Sequence, residues 1–316
     1  MIKERSAGAV VYYRKNKEIL ILLLKGDNRY DMPKGHLEND EDDLSAAKRE
    51  IFEETSLKPK ILEHFSMKIE YQFRSNKLVE KSVVYFIGKS STQNVKVSKE
   101  HKGYEWLEIE SALEKIAYDN LKHVISKAYE YILKYEKIHD LNKEYAKLPY
   151  INKNWDLSKK YVKGYGPLNT DVMIVGQAPG RLEDEKLLPF IGRSGVLLNS
   201  KIERLGISRD SCYITSAVQF FPPKNRIPTD KEIYICKNFL IKQIEIIKPK
   251  FIITLGSIST KVLLNIDKVS KHHGELIKIN NIQYMITFHP AAALRFKRIS
   301  KIMDNDFDLF KKYINK

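Results

Sequence analysis

Cysteine is nearly missing from this chain of 316 residues: Cys212 and Cys236 are the two it has. Two thiols cannot build a disulfide framework, which excludes the small disulfide-stapled class and suits a reducing cytosol. Long apolar runs are missing too. The longest, residues 19–24, has the length of a strand and falls far short of the ~18 residues that span a bilayer. The sequence opens Met-Ile-Lys-Glu-Arg with no apolar segment behind it, so no secretory signal is expected. It has no internal repeats, and at 43% hydrophobic and 30% charged it is neither disordered nor collagen-like. These absences point to a cytoplasmic protein with no membrane partner. Its length suits two domains of the usual ~100–200 residues.

Acidic charge is scarce in one half only. The chain carries 55 Lys and Arg against 40 Asp and Glu, a net charge of +15. Residues 1–140 hold 25 basic and 24 acidic side chains, whereas residues 141–316 hold 30 and 16. Almost the whole excess therefore sits in the second half. That is the electrostatic footprint expected of a domain that binds a polyanion; the alternative is a Lys-rich solvated surface.

Apolar patterning sketches an α/β chain. Strand-like runs at residues 7–13 and 19–24 precede a turn-rich stretch at 26–35. Leu44, Ala47 and Ile51 then recur at helical spacing over residues 42–55. Strands are expected around 68–73 and 82–88, and one long helix over 111–135. Residues 136–170, rich in Lys, Asn, Tyr and Gly, read as a connector and the entry to the second domain. In the second half short apolar strands (171–175, 212–218, 251–255, 284–287) alternate with helices (195–205, 229–247). That alternation predicts a parallel sheet covered on both faces, with its site in the loops at the strands' carboxyl ends.

Glu50, Glu53 and Glu54 stand at i, i+3 and i+4, so a helix puts three carboxylates on one face. Such a face is either solvated or neutralised by a hard divalent cation that also binds substrate phosphates. With Gly35, Glu41 and Arg49 the spacing resembles the Nudix box, G-x5-E-x7-R-E-U-x-E-E-x-G-U. One position departs: Ser56 stands for the second glycine, where positive φ is usual. Ser6-Ala7-Gly8-Ala9-Val10-Val11, Asp31-Met32-Pro33-Lys34-Gly35-His36 and Ser98-Lys99-Glu100-His101 resemble the asymmetric diadenosine-tetraphosphatase branch.

The resemblance covers residues 1–135 and implies an α/β/α sandwich with a mixed sheet. It implies hydrolysis of a nucleoside polyphosphate, a dinucleoside tetraphosphate or a noncanonical nucleoside triphosphate. Glu50, Glu53 and Glu54 would hold Mg²⁺ or Mn²⁺, and Glu41 and Glu100 are candidates for a further metal or for the base. Arg49 would orient the carboxylates and Lys34 would face phosphate. Tyr71 and Phe73 are candidates for base stacking, although core packing is the commoner use of strand aromatics.

In the second half Gly176-Gln177-Ala178-Pro179-Gly180 follows a strand directly, where a Gly/Pro loop exposes backbone N–H groups. Further on come Pro189-Phe190-Ile191-Gly192, Tyr213-Ile214-Thr215, Pro222-Pro223-Lys224-Asn225-Arg226 and His289-Pro290-Ala291-Ala292. The series resembles the uracil-DNA glycosylase superfamily, closest to its family-four branch. It implies a second α/β/α sandwich with a mainly parallel sheet, over 169–316, behind a connector at 136–168. By that resemblance Gly176, Gln177, Ala178, Pro179 and Gly180 would contact a flipped base and position water. Phe190 would stack on the base, His289 would donate to it, and Leu294 and Arg295 would wedge into the duplex.

Three departures stand out. Gln177 replaces the family's loop carboxylate, leaving Glu183 or Asp184 to orient the water. Ser216 replaces the base-reading asparagine, which relaxes base choice. The four iron–sulfur ligand positions fall at Phe220 and Cys236 and near Asn152 and Trp155, so no cluster is expected and Phe220 with Trp155 would fill its space. The sequence thus implies a bifunctional enzyme of nucleotide and DNA maintenance, excising uracil or another deaminated base. The alternative is a Nudix hydrolase joined to an inactive DNA-binding module.

Overall fold

The computed structural model describes residues 2–74, 76–152 and 155–314. The chain divides into two compact units, the first ending at Leu133 and the second beginning at Lys134.

The first unit is built on one mixed sheet. Its strands are β1 (Ile2–Lys15), β2 (Glu18–Lys25), β3 (Tyr30–Asp31), β4 (Lys34–His36), β5 (Lys60–Ile61), β6 (Met67–Arg74), β7 (Leu78–Ser90) and β8 (Gly103–Leu107). The main path runs β3-β2-β1-β7-β5, with β4 on β1, β6 on β7 and β8 on β2. Among the described residues of this unit only β1 and β7 pair in parallel, over Ile2↔Val79 to Tyr13↔Ser90. Helix α1 (Asp43–Thr55) starts where the Asp42 side chain accepts from the Ser45 N–H at 2.7 Å, a cap that contributes about 1 kcal/mol. It buries Ala46, Ala47 and Ile51 against Ala7, Ala9 and Val11 of β1. It ends at Ser56, which takes φ 57 and returns its N–H to the Phe52 carbonyl. The serine therefore adopts the left-handed turn that glycine adopts without a Cβ clash.

The expected single helix over 111–135 is two. Helix α2 (Ile109–Lys115) stops where Ile116 turns extended and buries its side chain, and α3 (Asp119–Tyr145) restarts with Asp119 in its first turn. Residues 136–168, expected as a linker and domain entry, lie within the second unit, which begins at Lys134. Within them α3 runs on to Tyr145 and α4 (Leu148–Ile151) follows. Tyr145, Leu148 and Leu157 then pack into an apolar cluster with Val218, Phe220 and Cys236. Burial of these side chains overrides the polar look of the segment.

The second unit's sheet runs β10 (Cys212–Ser216), β9 (Val172–Gly176), β11 (Phe251–Leu255), β13 (Ile282–Thr287), β12 (Leu276–Ile279). The first four are parallel and β12 is antiparallel at the edge. Strands β9 and β10 are buried at every residue, as a sheet covered on both faces requires. Helices α5 (Arg181–Lys186), α6 (Arg193–Arg204), α7 (Asp230–Ile247), α8 (Ser257–Leu264), α9 (Val269–His272), α10 (Pro290–Arg295) and α11 (Lys297–Ile314) complete it. Leu198, Ile202, Met303, Phe307 and Phe310 of α6 and α11 join the sheet's Ile174, Ile214, Ile253 and Met285 in the main core. The register sets Ser216 beside Gly176 and Leu255 beside Thr287, so the carboxyl ends of four strands finish at one level. Among the described residues no helix is long and apolar enough to cross a membrane.

Candidate active sites

Each unit carries one cavity where the chemistry-bearing residues gather. In the first unit a cavity of about 430 Å³ is lined by Ser6, Lys34, Gly35, His36, Glu50, Glu53, Glu54, Lys81, Ser98 and Glu100. Helix α1 supplies the three glutamates, as its spacing requires. Strand β4 passes so close that a Cβ on Gly35 would stand 2.1 Å from the Glu50 carboxylate, so any larger residue there would displace that carboxylate. The Lys34 N–H donates to Glu54 Oε2 at 3.0 Å, and His101 Nε2 stands 3.1 Å from Glu54 Oε1. The Ser98 N–H donates to the Glu54 carbonyl, which brings the loop carrying Glu100 over the end of α1. Burial raises the Glu54 pKa against the opposing pull of His101 and Lys34. Lys34 Nζ is 2.7 Å from Asp31 Oδ2 and still faces the cavity.

Arg49 holds the carboxylates in order. It donates to both oxygens of Glu41 (3.1 and 2.8 Å), to Glu50 at 2.8 Å, to Glu53 at 3.0 Å and to the His36 carbonyl at 2.8 Å. The guanidinium in turn lowers the Glu41 pKa. Glu41, a candidate for a further metal or for the base, gives both its oxygens to Arg49 and does not line the cavity. Among the described residues no three His, Cys, Asp or Glu side chains already stand together as a metal-ion cage. The donor set nonetheless fits a hard divalent cation. Its members are carboxylate oxygens facing one polar cavity, and Gly35 leaves room beside Glu50. Lys81, on β7, was not singled out from the sequence. Its ammonium stands 3.5 Å from Glu4 Oε2 and adds a second cation to the cavity wall. Tyr71 and Phe73 are not core residues. They lie on β6, their ring centroids 6.3 Å apart, with Phe73 exposed.

The second cavity, about 560 Å³, opens at the carboxyl ends of β9, β10 and β13. Gln177, Ala178, Pro179, Gly180, Glu183, Phe190, Ser216, His289 and Arg295 line it together. The loop after β9 is fixed by N–H groups of Ala217 and Val218, which donate to the carbonyls of Gly176 and Gln177. Gly176 lies behind the cavity wall: a Cβ there would meet the Phe190 ring at 2.4 Å. Phe190, buried at φ 50, sits with its ring centroid 5.8 Å from that of His289. Leu294 does not line the cavity but stands exposed on α10 next to Arg295.

His289 is the N-cap of α10, and its Nδ1 accepts from the Ala291 N–H at 3.1 Å. An acceptor at Nδ1 leaves the proton of a neutral ring on Nε2. Burial pushes its pKa down to about 4, so the ring is neutral at physiological pH. The site thus holds an uncharged N–H donor. Glu183, a candidate for orienting water, accepts from the N–H groups of Ile191 and Gly192 through Oε1. Asp184, the other candidate, does not line the cavity. Arg226, which closes the Pro222–Arg226 motif and was given no role from the sequence, faces the cavity while its guanidinium is held by Glu232 and Asp156.

The corner that an iron–sulfur cluster would take does not fit one. Phe220 is fully buried, with ring centroids of Trp155, Tyr145 and Tyr161 at 4.9, 5.2 and 5.6 Å, and Tyr145 stacks on Phe239 at 4.2 Å. Cys236 is buried in the same cluster and Cys212 in the other core. Asn152 Nδ2 donates to the Leu148 carbonyl.

Comparison with known proteins bears on both units. The NUDIX domain model matches residues 3–128 and the uracil DNA glycosylase superfamily model matches residues 163–316. A type-4 uracil-DNA glycosylase of Pyrobaculum aerophilum is 38% identical over 184 residues, covering 55% of this chain and 92% of that protein. The chain belongs to the uracil-DNA glycosylase superfamily, fused behind a Nudix domain. On the Nudix side, an asymmetrical bis(5'-nucleosyl)-tetraphosphatase of Mus musculus is 29% identical over 142 residues, 40% of this chain and 95% of that protein. A C. elegans Ap4A hydrolase structure covers 41% of this chain and 98% of its own, at 28% identity and TM-score 0.39. The glycosylase-like and Nudix domains together make this a two-domain protein of nucleotide and DNA maintenance.

Proposed function

We propose that the Nudix domain hydrolyses a nucleoside polyphosphate and that the glycosylase-like domain releases a deaminated base from DNA. In the first reaction Glu50, Glu53 and Glu54 would hold Mg²⁺ or Mn²⁺, which would polarise the phosphate and acidify water. Lys34 and Lys81 stand on the cavity wall to receive phosphate oxygens, and Arg49 Nη1 bridges Glu50 and Glu53 and so holds the two carboxylates together. Glu100, on the loop laid over α1, is the candidate base. A dinucleoside tetraphosphate is the substrate class that the murine relative's name favours; a noncanonical nucleoside triphosphate is the other to assay.

The glycosylase reading rests on one observation above the rest: the neutral His289 in a cavity walled by Phe190. As the bond from sugar to base breaks, negative charge grows on the base. An Nε2–H already fixed by the α10 cap meets that charge without the ring first having to gain a proton, and Phe190 offers the flipped ring a face. Arg295 and exposed Leu294 stand at the rim where duplex would be entered. The +14 charge of residues 141–316 supports DNA as the partner. Ser216, a hydroxyl that both donates and accepts, suits more than one base edge.

One observation favours the second reading, an inactive DNA-binding module. Gln177 brings no carboxylate to the loop, and Glu183 spends one oxygen on the backbone. Single-turnover assays with excess full-length chain on uracil-, hypoxanthine- and xanthine-containing oligonucleotides decide between the two. Base release lost on His289→Ala supports excision; DNA binding without release of any of the three rejects it.

A further inference from the structure

The segment Pro189–Gly192 carries Phe190 into the second cavity, and its backbone is unusual. Phe190 has φ 50, a left-handed conformation that a bulky L-residue avoids unless its surroundings over-determine it. Two buried or half-buried charged side chains supply that determination from opposite ends of the segment. On one side Arg209, from the short turn before β10, donates Nη2 to the Pro189 carbonyl at 2.6 Å and Nη1 to the Phe190 carbonyl at 3.2 Å. Its Nη1 also reaches Asn199 Oδ1 of α6 at 3.0 Å, and the guanidinium stands 5.8 Å over the Tyr165 ring. On the other side Glu183 Oε1 accepts from Ile191 and Gly192 at 3.2 and 3.0 Å. Carbonyls go to the cation and amides to the anion, so the segment cannot rotate without breaking charge-assisted bonds at both ends.

We propose that Arg209 and Glu183 are positioning residues for base capture, acting through Phe190. They fix the pitch of its ring against Gly176 and His289; the proposal rests on reading this cavity as the pocket for a flipped base. Neither residue need touch the base. Arg209 is tied to the segment by its planar fork, which a lysine cannot reproduce. Glu183 acts as an acceptor, so its charge matters less than its oxygen. That second point separates the proposal from a role for Glu183 in activating water, which needs the carboxylate.

The test uses the full-length chain and duplexes carrying 2′-fluorinated deoxyuridine or thymidine at one position. The preference for the former over the latter reads base capture without requiring catalysis. Arg209→Lys and Glu183→Ala should each reduce that preference by about tenfold or more while binding to the thymidine duplex stays within about twofold. Glu183→Gln, which keeps an acceptor, should lose markedly less than Glu183→Ala. In a Phe190→Ala background, Arg209→Lys should add no further loss, because its effect passes through the missing ring. Hydrogen exchange of the 187–194 segment should rise in Arg209→Lys and Glu183→Ala while β9 and β10 stay protected. A parent chain with no preference removes the pocket reading and the proposal with it. A parent with a preference that Arg209→Lys retains, or that Arg209→Lys reduces equally with and without Phe190, overturns the proposal alone.

Discussion

The two cavities solve opposite electrostatic problems. In the Nudix domain three glutamates crowd one helix face, and like charges are kept together by Arg49 and the Lys34 amide. That site gathers surplus negative charge, which on the proposed reading a divalent cation would neutralise. In the glycosylase-like domain the key ring is kept uncharged by burial and by a helix cap. On the proposed reading, that site meets charge that does not exist until base release begins. The difference teaches that one basic chain can hold an acidic and a neutral centre, because local burial and pairing outweigh net charge.

The comparison breaks most sharply by removing the surplus charge. Glu53→Gln with Glu54→Gln should cut polyphosphate hydrolysis by about 10³-fold or more, since each electrostatic group of this kind commonly carries about 10²–10³. Base release by the same variant should stay as in the parent; phosphate-release and oligonucleotide assays on one preparation check both. His289→Ala should do the reverse, slowing base release about 10²–10³-fold under single-turnover conditions and leaving hydrolysis alone. DNA binding should weaken steeply with salt, with a slope of about −0.9 per phosphate neutralised. Four such contacts correspond to about two orders of magnitude between 50 and 200 mM, and a flat titration would remove DNA as the partner of the basic half.

Acidity sharpens the comparison further. A histidine whose folded pKa lies at about 4 binds its proton more readily in the unfolded chain. Its contribution to stability is therefore full above pH ~6.5 and is lost as pH falls from there towards 4. Thermal melts across that window should show the loss, and His289→Gln should flatten it. Base release should show no ionisation near pH 6.5, the ordinary histidine value. The smallest effect is backbone strain. Ser56→Gly relieves a left-handed serine at φ 57 and should stabilise the Nudix domain by about 1 kcal/mol in a denaturant titration.

Much of this was legible in the sequence where spacing is local. Glu50, Glu53 and Glu54 come together because a helix has one period, and the glycosylase loops fall at strand ends because parallel sheets put them there. What was not legible arises from choices between partners. Spacing cannot say which carboxylates Arg49 takes, and it took Glu41 out of the cavity. Lys81 comes from a strand distant in sequence and carries no local signal at all. Two other features left signals that went unread. Asn280 and Asn281, both left-handed, make the two-residue hairpin that adds β12 to β13. Ile299, Met303, Phe307 and Phe310 mark α11 by helical recurrence. The polar stretch at 136–168 misled because its few aromatics, Tyr145 above all, decide where it packs.

Those aromatics bear on how such a chain is made and where it can work. A cluster-binding glycosylase needs iron delivered before its corner is complete, and metal sites couple folding to supply. Here Tyr145, Trp155, Tyr161, Phe220 and Phe239 close that corner with ring contacts formed as the chain folds. Each such pair contributes about 0.5–1.5 kcal/mol beyond its buried area. Iron starvation, chelators and air have nothing there to strip, so the folded chain should emerge colourless and survive oxidants that bleach an iron–sulfur protein.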